Sequence, residues 1–275
     1  MATVAQPVVG TGPRPDVLSG TPRAHAIDRW IYVFTAGALI VTTLTGFIPD
    51  SVMKVGLIKA GLRPPFPAVL HMHAVLMGTF LLLLFGQTWL MATGRKGLHM
   101  QLGVISVGVA ALLVLVGAVL APTMYYQTWD ALQAAPAAAR AELQQAVAVR
   151  ENILLLQLRI GVLFPLLLAV AVRARKEDPG LHKRMMILAT VVPVEAAIAR
   201  MTWLPTSMPG SPWLPELFTL APVVPMMVWD VVRNRGVHRA YWWFLALYVA
   251  TAVVVELLWD KPGWHDTAKA IMGVA

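Results

Sequence analysis

Cysteine is absent from this 275-residue chain, which excludes disulfides, thiolate metal sites and thiol catalysis. Charge is scarce as well: 13% of the residues are Asp, Glu, Lys or Arg, against roughly 25% in a soluble domain. That supply cannot cover a water-soluble globule of this size. Walker, G-x-S-x-G and H-E-x-x-H motifs are missing, so phosphate-loop, serine-hydrolase and zincin chemistry have no support. The last apolar run has no central lysine of the kind retinal proteins need. The late H-x-x-x-H of seven-span zinc hydrolases is also missing.

What is present is apolar. Hydrophobic residues make up 58% of the chain and the mean hydropathy is +0.67. They fall in blocks long enough to cross a hydrocarbon core of about 30 Å, which takes roughly 20 helical residues. Seven blocks stand out, near Asp28–Phe47, Pro67–Thr93, His99–Ala121, Asn152–Val172, His182–Leu204, Trp213–Val232 and Tyr241–Trp259. The predicted fold is therefore all-α, a polytopic bundle of about seven transmembrane helices occupying residues 28–260. Residues 1–27 are Pro- and Gly-rich without an apolar signal-peptide core, and read as a flexible cytoplasmic tail. Residues 261–275 read as a short external tail.

The net charge of +8 does not point to nucleic acid, because the basic residues sit between apolar blocks without interleaved aromatics. With residues at span starts counted with the adjoining segment, thirteen Lys and Arg belong to the tail and the 2–3, 4–5 and 6–7 connections and seven to the other connections and the C-terminal tail; Arg159 and Arg200 lie within spans. This asymmetry predicts a cytoplasmic N-terminus and an external C-terminus in a bacterial inner membrane. The partners implied are the lipid bilayer and other membrane-protein subunits. The Ala-rich stretch Pro136–Arg150 is a strong helix former, extending span 4 outward or lying on the membrane surface. The 5–6 connection (LPTSMPGSPWLPE) carries four prolines and must turn rigidly, and Pro222 and Pro225 should kink span 6.

Ionisable groups inside a membrane are expensive and therefore mark function or structural pairing. His71, His73, Arg159, Glu195 and Arg200 all fall near the outer end of their spans, with Glu256 close by. Residues two apart on a helix point about 200° apart. His71 and His73 therefore cannot easily share one metal, and His73 is the expected metal ligand because its face also carries Met77, Gln87 and Met91. Span 5 presents a stripe of His182, Met186, Ala189, Pro193, Ala196 and Arg200 that is small in its middle, with room for a neighbouring helix or a flat ligand. Glu195 is expected to pair with Arg159 across an interface of spans 2, 4 and 5. His99 and His182 open spans 3 and 5 in an echoed setting, Arg-Lys followed by Leu-His.

The runs HMHAVLMGTFLLLLFGQTWLMATGRKGLHMQLG (His71–Gly103) and DPGLHKRMMILA (Asp178–Ala189) resemble a pattern shared by uncharacterised bacterial multi-span inner-membrane proteins. Its elements are H-x-H-A, Leu-His-x-x-Leu-Gly and His-Lys-Arg-x-Met, over about a third of the chain. That resemblance implies a fold and a location but no activity. A more distant likeness, through histidine placement alone, is to transmembrane b-type cytochromes. The resulting expectation is a redox component holding haem b or a quinone near the outer leaflet. His71, His73, Arg159, Arg200, His99 and His182 would bind it, and Glu195 would serve as the catalytic proton relay. A proton-coupled transporter or channel, or a non-catalytic accessory subunit of a membrane complex, uses the same polar residues differently.

Overall fold

A computed structural model describes Asp16, Leu18 and residues 25–274. All regular structure among them is helical. Four long helices come first: α1 (Ala26–Lys59), α2 (Ala68–Ala92), α3 (Lys96–Gln133) and α4 (Ala137–Ala174). The chain then breaks into shorter pieces, α5 (Pro179–Val191), α6 (Glu195–Ile198), α7 (Trp213–Thr219) and α8 (Val224–Asn234), before α9 (Arg239–Leu258) and α10 (Pro262–Met272). Six segments are long and apolar enough to cross a membrane: α1, α2, α3, α4, the α7–α8 unit Trp213–Asn234, and α9.

The remaining block, expected as one span over His182–Leu204, is interrupted. After α5 a 3-10 turn (Val192–Val194) carries Pro193, and α6 adds a single helical turn. Proline removes one backbone donor and its ring collides with the carbonyl four residues earlier, so a regular helix cannot run through it. The segment lies inside the bundle. Ile187, Leu188, Ala189, Val191 and Ala197 are fully buried. From Leu181 to Ile198, the residues that keep partial exposure are His182, Lys183, Met186, Pro193 and Ala196. All but Lys183 belong to the stripe read from the sequence.

Consecutive long helices pack as antiparallel neighbours, α1 on α2, α2 on α3, α3 on α4 and α4 on α5, and α5 and α6 close back on α1. Gly46 permits that closure: a Cβ there would collide with the Ala197 carbonyl. The α7–α8 unit is broken by a 3-10 turn at Ala221–Val223, where Pro222 and Pro225 predicted a kink. Asp178 caps α5 by accepting a hydrogen bond from the Leu181 N–H at 2.8 Å, and Pro179 takes the first helical position.

Two elements exceed the sequence reading. Helix α3 continues through Pro122 to Gln133, twelve residues past the expected end, and α4 begins at Ala137, so Pro136–Arg150 extends span 4 as one helix. The two projecting ends bury Tyr125, Val147, Leu154, Trp264, Ala268 and Met272 in a second apolar cluster with α10. The residues expected as a short C-terminal tail thus contain a docked helix. Of the 1–27 tail, residues 1–15, 17 and 19–24 lie outside the described residues. Asp16 and Leu18 are packed on the bundle, Leu18 within its main core.

Candidate functional site

Arg159 projects from α4 and is 7% exposed. Its three guanidinium nitrogens donate to Thr251 Oγ1 (3.0 Å), Glu216 Oε1 (2.5 Å) and the Tyr248 carbonyl (3.0 Å), and the group lies 4.3 Å from the Tyr248 ring centroid. The partner expected from the sequence, Glu195, is replaced by Glu216 from the first turn of α7. Glu195 is 4% exposed and its Oε1 has no hydrogen-bond partner. Arg200 stacks 4.6 Å from the Phe47 ring and donates to the Ala196 carbonyl. Its Nε is 3.4 Å from Asp50 Oδ2, close enough for an ion pair yet not aligned for a hydrogen bond. Glu256 is held by Ser211. Glu216 escaped the sequence reading because it sits among the prolines that mark the turn. Its position just inside a kinked apolar run was the available signal.

The four candidate histidines, of seven in the chain, divide into two groups. His71 is exposed and meets Phe66 edge-on at 6.0 Å. His73 turns to α3, where a methyl at Gly117 would stand 3.9 Å from its ring, and its Nδ1 is buried without a partner. Helix α2 has α1 and α3 as its main neighbours and meets α4 through the Phe80–Phe164 ring pair at 5.4 Å. The expected mutual packing of spans 2, 4 and 5 is therefore made in full only between 4 and 5.

His99 and His182 do come together. Their ring centroids are 6.4 Å apart at an interplanar angle of 78°. His182 Nδ1 is 2.8 Å from the Ala171 carbonyl of α4. A carbonyl only accepts, so Nδ1 carries the proton and a neutral ring has its lone pair at Nε2. His99 reaches the backbone of Gln87, and its Nδ1 is buried without a partner. The Gln87 side chain, 8% exposed, donates to Ser106 Oγ at 3.3 Å, and Ser106 donates to the Leu102 carbonyl at 2.9 Å. Gln87 Oε1 is left buried and unpartnered. Residues of α2, α3 and α5 thus meet at one place. Among the described residues no group of three or more His, Asp or Glu gathers that could hold a metal ion, so a metal here would rest on two protein ligands.

Below the histidine pair, at the end of the bundle that carries Asp16 and the starts of α1, α5 and α9, lies a network the sequence reading missed. Arg184, fully buried, bonds Asp230 at 2.5 and 2.7 Å, Asp16 at 2.8 and 3.1 Å, and the Gly180 carbonyl at 2.8 Å. Tyr241 and Asn234 also donate to Asp230. Asp28 takes bonds from Arg233 and Trp229. In the sequence Arg184 reads as part of the basic 4–5 connection, and the sign that points to the network is Asp230, a carboxylate inside span 6. These bonds tie α1, α5, α8 and α9 together, consuming the charges they use.

The opposite, far end carries a polar cap over α10. Glu151, 2% exposed, accepts from Tyr125 at 3.2 Å and lies 2.7 Å from His265 Nδ1, while its backbone carbonyl accepts from Trp264. Beside it is an open cavity of about 700 Å³ lined by Trp129, Arg140, Gln144, His265 and Lys269. Comparison with known protein families, curated proteins and solved structures finds no match.

Proposed function

We propose that this chain is a multi-pass membrane redox component that holds haem b between His99 and His182. The observation that carries the reading is the approach of these two rings from separate helices, at 6.4 Å, with His99 Nδ1 buried and unpartnered. Two protein ligands are too few for a zinc site, which takes three or four. Two imidazoles from neighbouring helices are what would hold a haem iron, and His99 and His182 would be those residues. A quinone fits less well: its carbonyls need hydrogen-bond donors, and the free atoms here accept.

The Ala171 carbonyl fixes the His182 tautomer and aims Nε2, the orienting role an outer-shell acceptor plays for a ligating imidazole. Ser106 locks the Gln87 amide beside His99. Met186, Pro193 and Ala196 continue a partly exposed stripe along span 5 from His182. Arg95 and Lys96, exposed one turn before His99, offer cations to the haem carboxylates. Bound haem supplies reversible one-electron transfer. The finer membrane arrangement belongs to the same proposal. Seven spans, counting the interrupted α5–α6 segment, put Met1 in the cytoplasm and Ala275 outside a bacterial inner membrane, with the histidine pair toward the cytoplasmic face.

Protein purified from haem-competent cells should show a Soret band that is lost in His99→Ala and His182→Ala and retained in His73→Ala. Colourless wild-type protein would overturn the assignment. A second reading, proton-coupled transport, is favoured by one other observation: Glu195, whose Oε1 makes no hydrogen bond, sits at the break of span 5, and interrupted helices frame ion sites in transporters. That reading requires proton-coupled flux in proteoliposomes that disappears in Glu195→Gln.

A further inference from the structure

At the far end of the bundle two cations, Lys54 and Arg200, meet one carboxylate, and two further arginines from other segments lie within electrostatic reach. Asp50 Oδ2 lies 2.6 Å from Lys54 Nζ and 3.4 Å from Arg200 Nε. Arg63, in the α1–α2 connection, stands 5.7 Å over the Phe66 ring, and its Nε is buried without a hydrogen bond. Arg200 is stacked on Phe47, with its Nε likewise unbonded. Arg150 of α4 bonds Thr128 at 3.2 Å and lies within electrostatic reach of both Arg63 and Arg200. Lys54 is within reach of the same two arginines.

The charges at this place do not cancel. Asp50 can neutralise one of the four cations. Glu195, whose charge Arg200 also feels, can neutralise a second. Two positive charges remain even with both carboxylates ionised. Like charges held together at a membrane edge are costly unless something compensates them. Phe47 and Phe66 flank the two guanidiniums. Arg200 spends one nitrogen on the Ala196 carbonyl and faces Asp50 with another, whereas Arg63 has an unbonded Nε, and guanidinium N–H groups suit a tetrahedral oxyanion. The adjoining outer face of α1 exposes Ile48, Val52 and Met53.

We propose that Lys54, Arg63, Arg150 and Arg200 form a phosphate-binding site on the far face of the bundle, remote from the histidine pair and independent of it. The phosphate group is the chemistry recognised. It can be carried by an anionic phospholipid, whose chains would lie on the apolar face of α1, or by a soluble phosphoanion.

The test uses the purified full chain in detergent with two probes. Native mass spectrometry with an equimolar mixture of phosphatidylglycerol and phosphatidylcholine reads lipid selectivity, and calorimetry with inorganic phosphate reads soluble-anion binding. The wild type is expected to prefer phosphatidylglycerol, to bind phosphate, or both. The Arg63→Gln/Arg150→Gln double variant should lose about tenfold in affinity, the scale of one charge-assisted bond, whereas Arg63→Lys should keep most of it. Lipid preference without phosphate heat identifies the headgroup as the source, and phosphate heat without lipid preference identifies a soluble anion. If the double variant does not remain monodisperse, Arg63→Gln alone carries the test, because Arg63 Nε makes no hydrogen bond to lose. A wild type that discriminates neither probe, or a stable variant that binds both as tightly as the wild type, overturns the site.

Discussion

Arg159 and Glu195 occupy the same depth of the bundle and have opposite fates. Arg159 is satisfied on every guanidinium nitrogen, so removing its carboxylate partner strands a buried charge. Glu216→Gln should therefore cost about 3–5 kcal/mol, more than an Arg159→Met/Glu216→Leu double replacement. Thermal unfolding in detergent, comparing both variants with the wild type, decides this: equal losses would show that the pair is not coupled. Glu195 has no such partner at Oε1. Glu195→Gln should leave the melting temperature unchanged or raise it, and a marked fall would mean that the carboxylate holds the fold. Asp178, outside the spans, behaves differently again. Burial works to raise its pKa, but the Leu181 N–H and Arg239 outweigh it and hold the carboxyl below its ordinary value. A depressed carboxylate contributes stability above its unfolded pKa and loses it as pH falls through the folded one. Hydrogen exchange at the Leu181 amide, corrected for its intrinsic rate, should speed up as pH drops below about 4. In Asp178→Ala it should be fast at every pH, the cap contributing about 1 kcal/mol.

Among the elements, the interrupted span 5 organises the rest. Its burial on nearly all sides explains why it holds both a fully buried arginine and a glutamate with an unbonded Oε1: neither faces lipid. The break at Pro193 displaces α6 toward α1, and the two backbones meet where Gly46 has no side chain. Gly46→Ala should thus destabilise by about 1–3 kcal/mol, as overpacking does, whereas Gly56→Ala in the same helix meets nothing and should be tolerated. Equal melting temperatures for the two variants would refute the close crossing. The echoed Leu-His starts of α3 and α5 carry a different lesson. A repeated local setting placed both histidines at the same end of parallel-running helices, and the packing of both helices on α4 brought the rings together.

For the molecule as a whole, two polar ends flank an apolar middle. At one end lie the histidine pair and the Arg184 network. The other holds the basic cluster, the Arg159–Glu216 pair and the α10 cap. If the proposed orientation holds, reporter fusions after Ala275 are active only for an external-type reporter, and fusions at Lys176 only for a cytoplasmic one. The same side reported by both would make the span count even, and the α5–α6 segment would then be the one that does not cross.

Much of this was legible because it depends on local composition. Long apolar runs dictate helices, since backbone groups in lipid must be satisfied within the segment. Prolines at 222 and 225 dictate a break wherever they fall, and an Ala-rich stretch continues a helix already begun. The sequence also confined the candidate chemistry to a few histidines and buried charges. It could not assign their partners. Which carboxylate meets Arg159, whether His73 or His182 turns to a second histidine, and whether Asp16 reaches Arg184 across 168 positions depend on how helices rotate and cross. Those choices are made by packing between segments far apart in the chain, and a one-dimensional pattern of apolar and polar residues leaves them open. Helix α10 and the far end of α3 were hidden for the same reason: neither is apolar enough to announce itself, and each is helical because the other elements bury one of its faces.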